Sequence, residues 1–370
     1  MFRRAVVEID LKAIGENLKS IKKVVGPQTK ILLPVKADAY GHGIIPVSKF
    51  TEKNNLVDMF GVASFEEAIL LRDEGIKKPI LILGLIIPQP KIIDKILDNN
   101  ISLTVADLNF IELLAERATA KKKFLNIHLK VDTGMGRIGC QPEEALDFIH
   151  EILKAKYLNL EGIFSHLAVA DQLNSDFTLK QLKIFQKILG QLAAEKIEIP
   201  CQHLANSAAL VNYPATWFDM VRPGLMSYGY QPSVKMAYNL AVTPAMTFKS
   251  EVVFLKKVKA GVPLSYGLTF ASKQDTNIAT VPVGYGDGYS RFLSNLGRVL
   301  IANQEYPVVG RVTMDQILVD LGHDDYPIGQ EVILFGQGEI TANSVADWIR
   351  TIPYDITCGI SKRVPRLYYD

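Results

Sequence analysis

The sequence predicts an α/β fold, in which a closed (β/α)8 barrel of the TIM type is followed by a mainly β domain. Short apolar runs alternate with longer segments of helical period through about residue 230, which is typical of a parallel sheet. After about residue 240 the pattern changes to short strand-like runs separated by Gly and Pro. We therefore expect a barrel at residues 1–240 and a β domain at residues 241–370.

Eight apolar runs are the candidate strands of the barrel. They lie at residues 31–35, 59–63, 80–84, 102–105, 126–131, 160–165, 202–205 and 218–222. Several are almost continuously apolar, as strands buried on both faces should be. Eight repeats in this length fit a closed barrel better than an open sheet, and a barrel predicts that chemistry lies just after the C-terminal ends of strands.

The helices between these runs have recognisable starts and stops. Apolar residues at 11, 14, 18 and 21 lie on one face, with Asp10 as the N-cap and Gly26 as the stop. The segment Ser64-Phe-Glu-Glu67 is typical of a capping box, and Gly75 would end that helix. Pro142 suits the first turn of a later helix, and residues 177–192 carry another apolar face.

Strand-like runs dominate the C-terminal domain. They lie at residues 250–260, 277–283, 299–302, 306–312, 316–320 and 331–335. Only residues 342–350 show a helical pattern. The run at residues 5–9, within the segment 1–9, could pair with this domain.

Composition excludes several classes of protein. Hydrophobic residues are 48% of the 370 and the net charge is only +2, so neither disorder nor binding to nucleic acid or an anionic membrane is indicated. The longest apolar stretch, about residues 80–87, is far shorter than a membrane span. Met1–Ala5 has no apolar segment behind it, so we expect no secretory signal and a cytoplasmic protein. Cys140, Cys201 and Cys358 have no metal-binding spacing, so we expect buried thiols and no metal.

Lys36 is the first candidate for chemistry. It ends the apolar run at 31–35, and a lysine at the mouth of a barrel strand is desolvated, which lowers its pKa and makes the amine nucleophilic. An isolated lysine at a strand end is usually a surface residue. The string that follows Lys36, with Tyr40, Gly41 and Gly43, favours the functional interpretation.

The string Val-Lys-Ala-Asp-Ala-Tyr-Gly-His-Gly at residues 35–43 resembles the pyridoxal-phosphate attachment signature of the bacterial alanine racemases. Further segments resemble the same family in the same order, and together they cover essentially the whole chain. They lie at residues 128–139, 164–166, 203–208, 221–225, 264–267, 283–288, 313–316 and 363–366.

The resemblance implies an isomerase that interconverts L-alanine and D-alanine by a two-base mechanism and supplies D-alanine for peptidoglycan. Lys36 would hold pyridoxal phosphate as an aldimine and, once freed by substrate, serve the D-alanine face. Tyr266 would serve the opposite face from the partner subunit, so the resemblance implies a homodimer with shared active sites. A free phenol has a pKa of about 10 and is a poor base, so Tyr266 needs a cationic or hydrogen-bonding neighbour.

The resemblance also assigns supporting residues. His166 and Arg222 would tune the tyrosine, Arg222 would face the pyridine nitrogen, and Asp315 would support catalysis. The remaining residues would bind cofactor or substrate: Arg137 at the phenolate and the substrate carboxylate, Met314 at that carboxylate, and Tyr40, Ser207, Gly224 and Leu225 at the phosphate. Lys130 matches a lysine that is carbamylated in several relatives and positions Arg137.

Two departures from the family pattern leave alternatives open. Lys362 stands where a tyrosine is usual, and Thr313 where a cysteine is frequent, so a racemase of broader or different specificity, such as for serine, is the first alternative. A barrel decarboxylase lacks support because no glycine-rich phosphate run is found. A non-catalytic pyridoxal-phosphate carrier would not need Tyr266. Residues 134–139 satisfy G-x-G-x-x-G, but the next helix starts after the motif, which disfavours a dinucleotide site and a dehydrogenase.

Overall fold

The computed structural model describes residues 5–233 and 235–370. Met1–Arg4, on which the expectation of no secretory signal largely rests, lie outside the described residues. The chain opens with strand β1 (Ala5–Asp10), which belongs to the C-terminal sheet, and helix α1 (Leu11–Val25). Asp10 Oδ1 accepts the N–H of Ala13 at 2.8 Å, which confirms the predicted N-cap.

Within residues 5–233, eight parallel strands form the predicted barrel, in the spatial order β8-β7-β6-β5-β4-β3-β2-β9. They are β2 (Lys30–Pro34), β3 (Met59–Val62), β4 (Ile80–Ile82), β5 (Ser102–Val105), β6 (Leu125–Lys130), β7 (Leu158–Phe164), β8 (Cys201–His203) and β9 (Met220–Val221). Hydrogen bonds from Asp219 N to Gln202 O and from Arg222 N to Ala205 O, both 3.0 Å, connect the last two strands and close the barrel.

Helices cover the outside of the barrel between these strands. They are α3 (Ile44–Lys53), α4 (Phe65–Asp73), α5 (Pro90–Asp98), α6 (Leu108–Lys121), α7 (Ala145–Lys154), α8 (Asp176–Ala194) and α9 (Ser207–Asn212), while the short segment α2 (Lys36–Tyr40) is a left-handed turn at the barrel mouth. The expected capping box of α4 is only half formed. Ser64 Oγ accepts the N–H of Glu67 at 3.3 Å, but the Glu67 carboxylate accepts the N–H groups of Ala37 and Ala63 instead of closing the box.

Across the described residues the C-terminal domain is built on a nine-stranded sheet, in the order β11-β14-β17-β16-β15-β18-β10-β1-β19. Its further strands are β10 (Met246–Glu251), β11 (Phe254–Val258), β14 (Thr276–Val281), β15 (Arg298–Ile301), β16 (Gln304–Val309), β17 (Ile317–Gly322), β18 (Glu331–Phe335) and β19 (Arg366–Tyr369), while β12 (Pro263–Leu264) and β13 (Phe270–Ala271) form a separate pair. Strand β1 lies antiparallel to β10 and parallel to β19.

Two expectations for this domain were wrong in detail. Residues 250–260 were expected as one strand, but the chain breaks at Val252 and Val253 into β10 and β11, which pair with different neighbours. Besides α10 (Ala342–Trp348), a second helix, α11 (Pro353–Cys358), is present. Six residues after a proline are too few to show a helical period in sequence.

The C-terminal segment also packs against the loop that follows β2. Arg366 Nε donates to Gly41 O at 3.2 Å, and a Cβ on Gly41 would lie 2.1 Å from Thr357 O. Gly41 has φ +83°, which favours glycine, as the sequence suggested. The loop that carries Lys36 follows a barrel strand and is therefore also contacted by the C-terminal domain.

Candidate active site

Lys36 directly follows β2, at the mouth of the barrel. Val35 N donates to Gly61 O at 2.8 Å, which fixes the chain just before it. The Lys36 side chain is half-buried. Burial lowers the pKa of Lys36 and the Arg137 cation adds to this, while the Glu67 carboxylate opposes both. Because the neutral amine is the nucleophilic form, this lysine is suited to react with a carbonyl carbon.

The turn after Lys36 is left-handed over four non-glycine residues. The φ angles are 51° at Ala37, 56° at Asp38, 53° at Ala39 and 57° at Tyr40. L-residues pay about 1–2 kcal/mol each in this region, so the turn must be held by its surroundings. The Glu67 carboxylate accepts Ala37 N and Ala63 N, both at 2.7 Å, and so connects the turn to the end of β3.

Hydroxyls and backbone amides meet beside Gly224. A Cβ on Gly224 would lie 2.6 Å from Tyr40 Oη, so only glycine leaves this space open. The Tyr40 ring packs on Tyr354, with centroids 5.4 Å apart. Ser207 Oγ accepts the N–H of Met226 at 3.4 Å. This donor set, at the start of α9 and of the turn after β9, suits an oxyanion.

Five cationic or imidazole groups surround the barrel mouth close enough to affect one another. Burial lowers the pKa of His166 well below its usual value, and Arg222, Lys130, Arg137 and Lys36 add to this. Burial, followed by Arg222 and Arg137, also lowers the pKa of Lys130 strongly. Burial lowers the pKa of Arg222 to about 10, so its guanidinium stays protonated at neutral pH. Such an excess of positive charge matches phosphate and carboxylate groups.

Phe164, the last residue of β7, separates two of these cations. Lys130 Nζ lies 4.4 Å from the centre of the Phe164 ring and Arg222 Cζ lies 5.5 Å from it. Arg222 Nη2 donates to Ser165 O at 2.8 Å and lies 3.5 Å from His166 Nδ1. Each of these side chains follows or ends a barrel strand, where the sequence predicted the chemistry to lie.

Arg137 is exposed on the loop after β6. The Asp132 carboxylate shapes this loop by accepting Gly134 N and Gly136 N, each at 2.9 Å. The following helical turn begins at Pro142, after the glycine motif. No helix therefore opens inside residues 134–139, and the prediction that the helix starts after the glycine motif is confirmed.

Tyr266 and Met314 lie in the C-terminal domain, in an open depression of the chain. Tyr266 is 72% exposed and Met314 is 53% exposed. The same depression is lined by Tyr285, Arg291, Arg311, Thr313 and Asp315. Within one chain, Tyr266 is therefore open to solvent.

The other C-terminal candidates have defined contacts. Asp315 Oδ1 accepts a hydrogen bond from Arg363 Nη2 at 2.8 Å. Thr313 Oγ1 donates to Gln316 O at 2.8 Å and closes the turn that contains Met314. In the described part of the chain, no hydrogen bond uses the Met314 N–H. Lys362 is exposed beside Arg363.

Sequence reasoning missed four residues near the site. Glu67 was taken only as a helix cap, and the pairing of its carboxylate with the Lys36 turn depends on the tertiary fold. His128, Glu161 and His203 lie on three adjacent barrel strands and form a hydrogen-bonded series that ends at Arg222. His128 and His203 open two of the motifs quoted above, which was the one available signal.

The described residues show neither a membrane-crossing helix nor a cluster of metal-binding side chains. No helix in residues 5–233 or 235–370 is long and apolar enough to span a bilayer. In the same ranges, no three His, Cys, Asp or Glu side chains are grouped so that they could hold a metal ion.

Comparison with known proteins covers both parts of the chain. Residues 9–232 match the family profile of the alanine racemase N-terminal domain, and residues 245–368 match that of the C-terminal domain. An alanine racemase of Desulforamulus reducens is 42% identical over 98% of both chains. The solved structure of an alanine racemase from Clostridium difficile, 39% identical, superposes with a TM-score of 0.94 over 100% of this chain and 96% of that one.

A third relative carries a ligand. The structure of an alanine racemase from Bacillus anthracis with bound L-Ala-P is 35% identical and has a TM-score of 0.90, covering 100% of this chain and 96% of that one. Matches of this extent, in sequence and in structure, run from the first barrel helix to the last strand. The chain belongs to the alanine racemase family.

Proposed function

We propose that this protein interconverts L-alanine and D-alanine with pyridoxal phosphate as its cofactor. The observation that carries the proposal is Lys36: a half-buried amine at the barrel mouth, facing a cation-rich site, in a chain that matches alanine racemases from end to end. Lys36 supplies the amine, and its surroundings supply partners for a phosphate and for a substrate carboxylate.

The residues present fit this cofactor. The hydroxyls of Tyr40 and Ser207 and the amide of Leu225 would hold the phosphate, in the space that Gly224 leaves open. The Gly224 N–H, expected as a further donor, already donates to Arg222 O at 3.0 Å. Arg222 would face the pyridine nitrogen and Lys36 would carry the cofactor covalently. When bound, pyridoxal phosphate supplies the electron sink that makes an α-hydrogen of an amino acid removable.

Lys36 and Tyr266 would move the proton on opposite faces of the α-carbon. Burial lowers the pKa of Lys36, which favours the neutral amine that would take the proton on the D-alanine face. Tyr266 is too exposed in a lone chain to act on a sequestered substrate. We infer that Tyr266 of the partner subunit completes the site, together with the free N–H of Met314 of the partner subunit, so that a homodimer is the active form.

Arg222 would hold the ring nitrogen without protonating it. Its pKa falls to about 10 through burial, but the guanidinium still keeps its proton at neutral pH and only donates hydrogen bonds. Arg222 would therefore make a bound cofactor a weaker electron sink than a protonated ring would be, and this would suppress side reactions such as transamination.

Lys130 and Arg137 would act as a pair at the substrate end. Burial and two arginines lower the pKa of Lys130, and the neutral amine is the form that can react with carbon dioxide. The N–C bond would form with loss of a proton from the amine, and the resulting carbamate anion would pair with Arg137, which is otherwise exposed. Asp315, paired with Arg363, and His166, beside Arg222, would support the two proton-transfer groups.

We further propose a division of labour between residues 1–240, which bind the cofactor, and residues 241–370, which supply the second proton donor. The separate parallel and mixed sheets support this division. The cytoplasmic location and the supply of D-alanine for peptidoglycan are proposed from the usual role of the family. Fractionation of cells and rescue of a D-alanine auxotroph would test these two points.

The first experiment is to incubate purified, cofactor-loaded protein with L-alanine and to measure D-alanine over time. Rapid formation that is lost in Lys36→Ala supports the proposal, and D-serine formed from L-serine in parallel measures selectivity. No D-alanine from protein with a lysine-bound cofactor would refute it.

The shared site has its own test. Lys36→Ala and Tyr266→Phe are each expected to be inactive, but an equal mixture allowed to exchange subunits should regain about a quarter of the wild-type activity. Half of the dimers would be mixed, and each mixed dimer would have one intact site. No recovery, with exchange shown by mass spectrometry, would mean that each site uses residues of one chain.

A further inference from the structure

A line of hydrogen bonds runs from Arg222 across the barrel to Glu161. Arg222 Nη1 lies 2.9 Å from His203 Nδ1, and His203 Nε2 lies 2.9 Å from His128 Nδ1. His128 Nε2 lies 3.1 Å from Glu161 Oε2. Both imidazoles are fully buried, and the Phe164 ring stacks on His203 at 4.6 Å. The four polar groups therefore form a continuous series that is shielded from water at its centre.

Only one set of proton positions satisfies all three contacts. A guanidinium can only donate, so His203 Nδ1 must accept and carry no proton. His203 Nε2 is then the protonated nitrogen and donates to His128 Nδ1. His128 Nε2 in turn donates to Glu161. If His128 were cationic, its Nδ1 would carry a proton and face the protonated Nε2 of His203. Relieving that clash would require His203 to lose its own proton. Both imidazoles are therefore neutral.

Arg222 sets this direction at one end of the series, and Glu161 matches it at the other end because an ionised carboxylate can only accept. Its Oε2 also accepts from Ser102 Oγ at 2.7 Å. Burial by itself raises the pKa of Glu161, but the hydrogen bonds from His128 and Ser102 and the Lys30 charge outweigh it, and the net shift is downward. Glu161 is therefore a carboxylate at neutral pH and holds the far end of the series.

We propose that Glu161 is a positioning residue for Arg222, acting through the fixed tautomers of His128 and His203. The series engages Nη1 of Arg222, while Ser165 O and Leu204 O engage Nη2 at 2.8 and 2.9 Å. In the described residues no hydrogen bond uses Nε. Nε is thus the donor left for the cofactor ring. The role rests on the proposed function, since that ring belongs to the cofactor.

The test begins with imidazole nitrogen NMR on protein labelled at its six histidines, first without cofactor. Wild-type protein is expected to show His128 and His203 as neutral Nε2–H tautomers. Glu161→Gln keeps an oxygen that accepts the His128 Nε2–H and should leave the nitrogen signals unchanged. Glu161→Met removes this acceptor and should shift the His128 Nε2 signal, while His203 stays the Nε2–H tautomer because Arg222 still donates to its Nδ1. A cationic His203, or an Nδ1–H tautomer in wild-type protein, would overturn the proposal even if Glu161→Met fails to fold.

The functional readout is the number of transamination events per racemisation in the loaded enzyme. Glu161→Met should raise this ratio about tenfold, the change expected when one hydrogen bond to a charged group is lost, and Glu161→Gln should restore most of the wild-type ratio. The positioning role of Glu161 would be refuted if all three proteins had the same ratio of transamination to racemisation, or if Glu161→Gln had the same ratio as Glu161→Met. Failure of wild-type protein to racemise alanine would instead refute the proposed function, because the tautomers are measured without cofactor.

Discussion

Replacing Glu67 tests how much the Lys36 turn depends on its clamp. Glu67→Ala removes the acceptor of two backbone N–H groups, each bonded at 2.7 Å. Both hydrogen bonds lie near the surface, so each should contribute about 1 kcal/mol to stability. Losing both should lower the free energy of unfolding by about 2 kcal/mol. If the loosened turn also displaces Lys36 and raises the activation barrier by the same free energy, kcat/KM should fall about 30-fold.

The matched control is Glu66→Ala, which removes a carboxylate from the neighbouring, exposed position of the same helix. Its stability and activity should stay close to wild type. Glu67→Gln should also shift the pH dependence of cofactor uptake by apo-protein to lower pH, because the charge that raises the pKa of Lys36 is gone. Urea unfolding, racemase assays and uptake curves provide the measurements. Equal losses in the Glu66 and Glu67 variants would refute the clamp.

Three further predictions concern the site and the fold. Gly224→Ala should weaken cofactor binding at least tenfold in an absorbance titration, because its Cβ would meet Tyr40 Oη at 2.6 Å, whereas Gly190→Ala, with nothing within 4 Å, should not. Arg222→Glu should increase transamination relative to racemisation, and an unchanged product ratio would contradict the role given to the guanidinium. Burial lowers the pKa of His42 to about 4. The neutral imidazole therefore stabilises the fold above about pH 6.5, and on the order of 3 kcal/mol is lost as pH falls towards 4. His42→Gln should flatten that part of the stability curve.

Patterns in the sequence were sufficient for the barrel and for most helix ends. Each barrel strand is a short apolar run that must be buried on both faces, and Asp10 caps α1 as its position suggested. Local patterns were insufficient where six residues formed α11, or where one apolar stretch served two strands. For the two strands the pairing partners are distant in sequence, and only the assembled sheet selects them. Helix α11 is too short to show a helical period.

The candidate site divides in the same way. By sequence alone, Lys36, Lys130, His166 and Arg222 are placed at strand ends, and the order of motifs points to the family. Their mutual effect on pKa values needs distances, which come from closure of the barrel. Glu67 shows the limit most clearly, since the same Ser-x-x-Glu pattern predicts a closed capping box, while the folded chain offers its carboxylate the N–H of Ala37 instead.

The sequence by itself determined the fold class, the alternation of strands and helices, and which side chains could carry chemistry, because periodicity and residue type act locally. Tertiary structure alone decided the left-handed turn after Lys36, the series from Arg222 to Glu161, and the exposure of Tyr266 within one chain. These features depend on contacts between residues far apart in the chain. Their energies exceed local preferences only once burial has removed competing water.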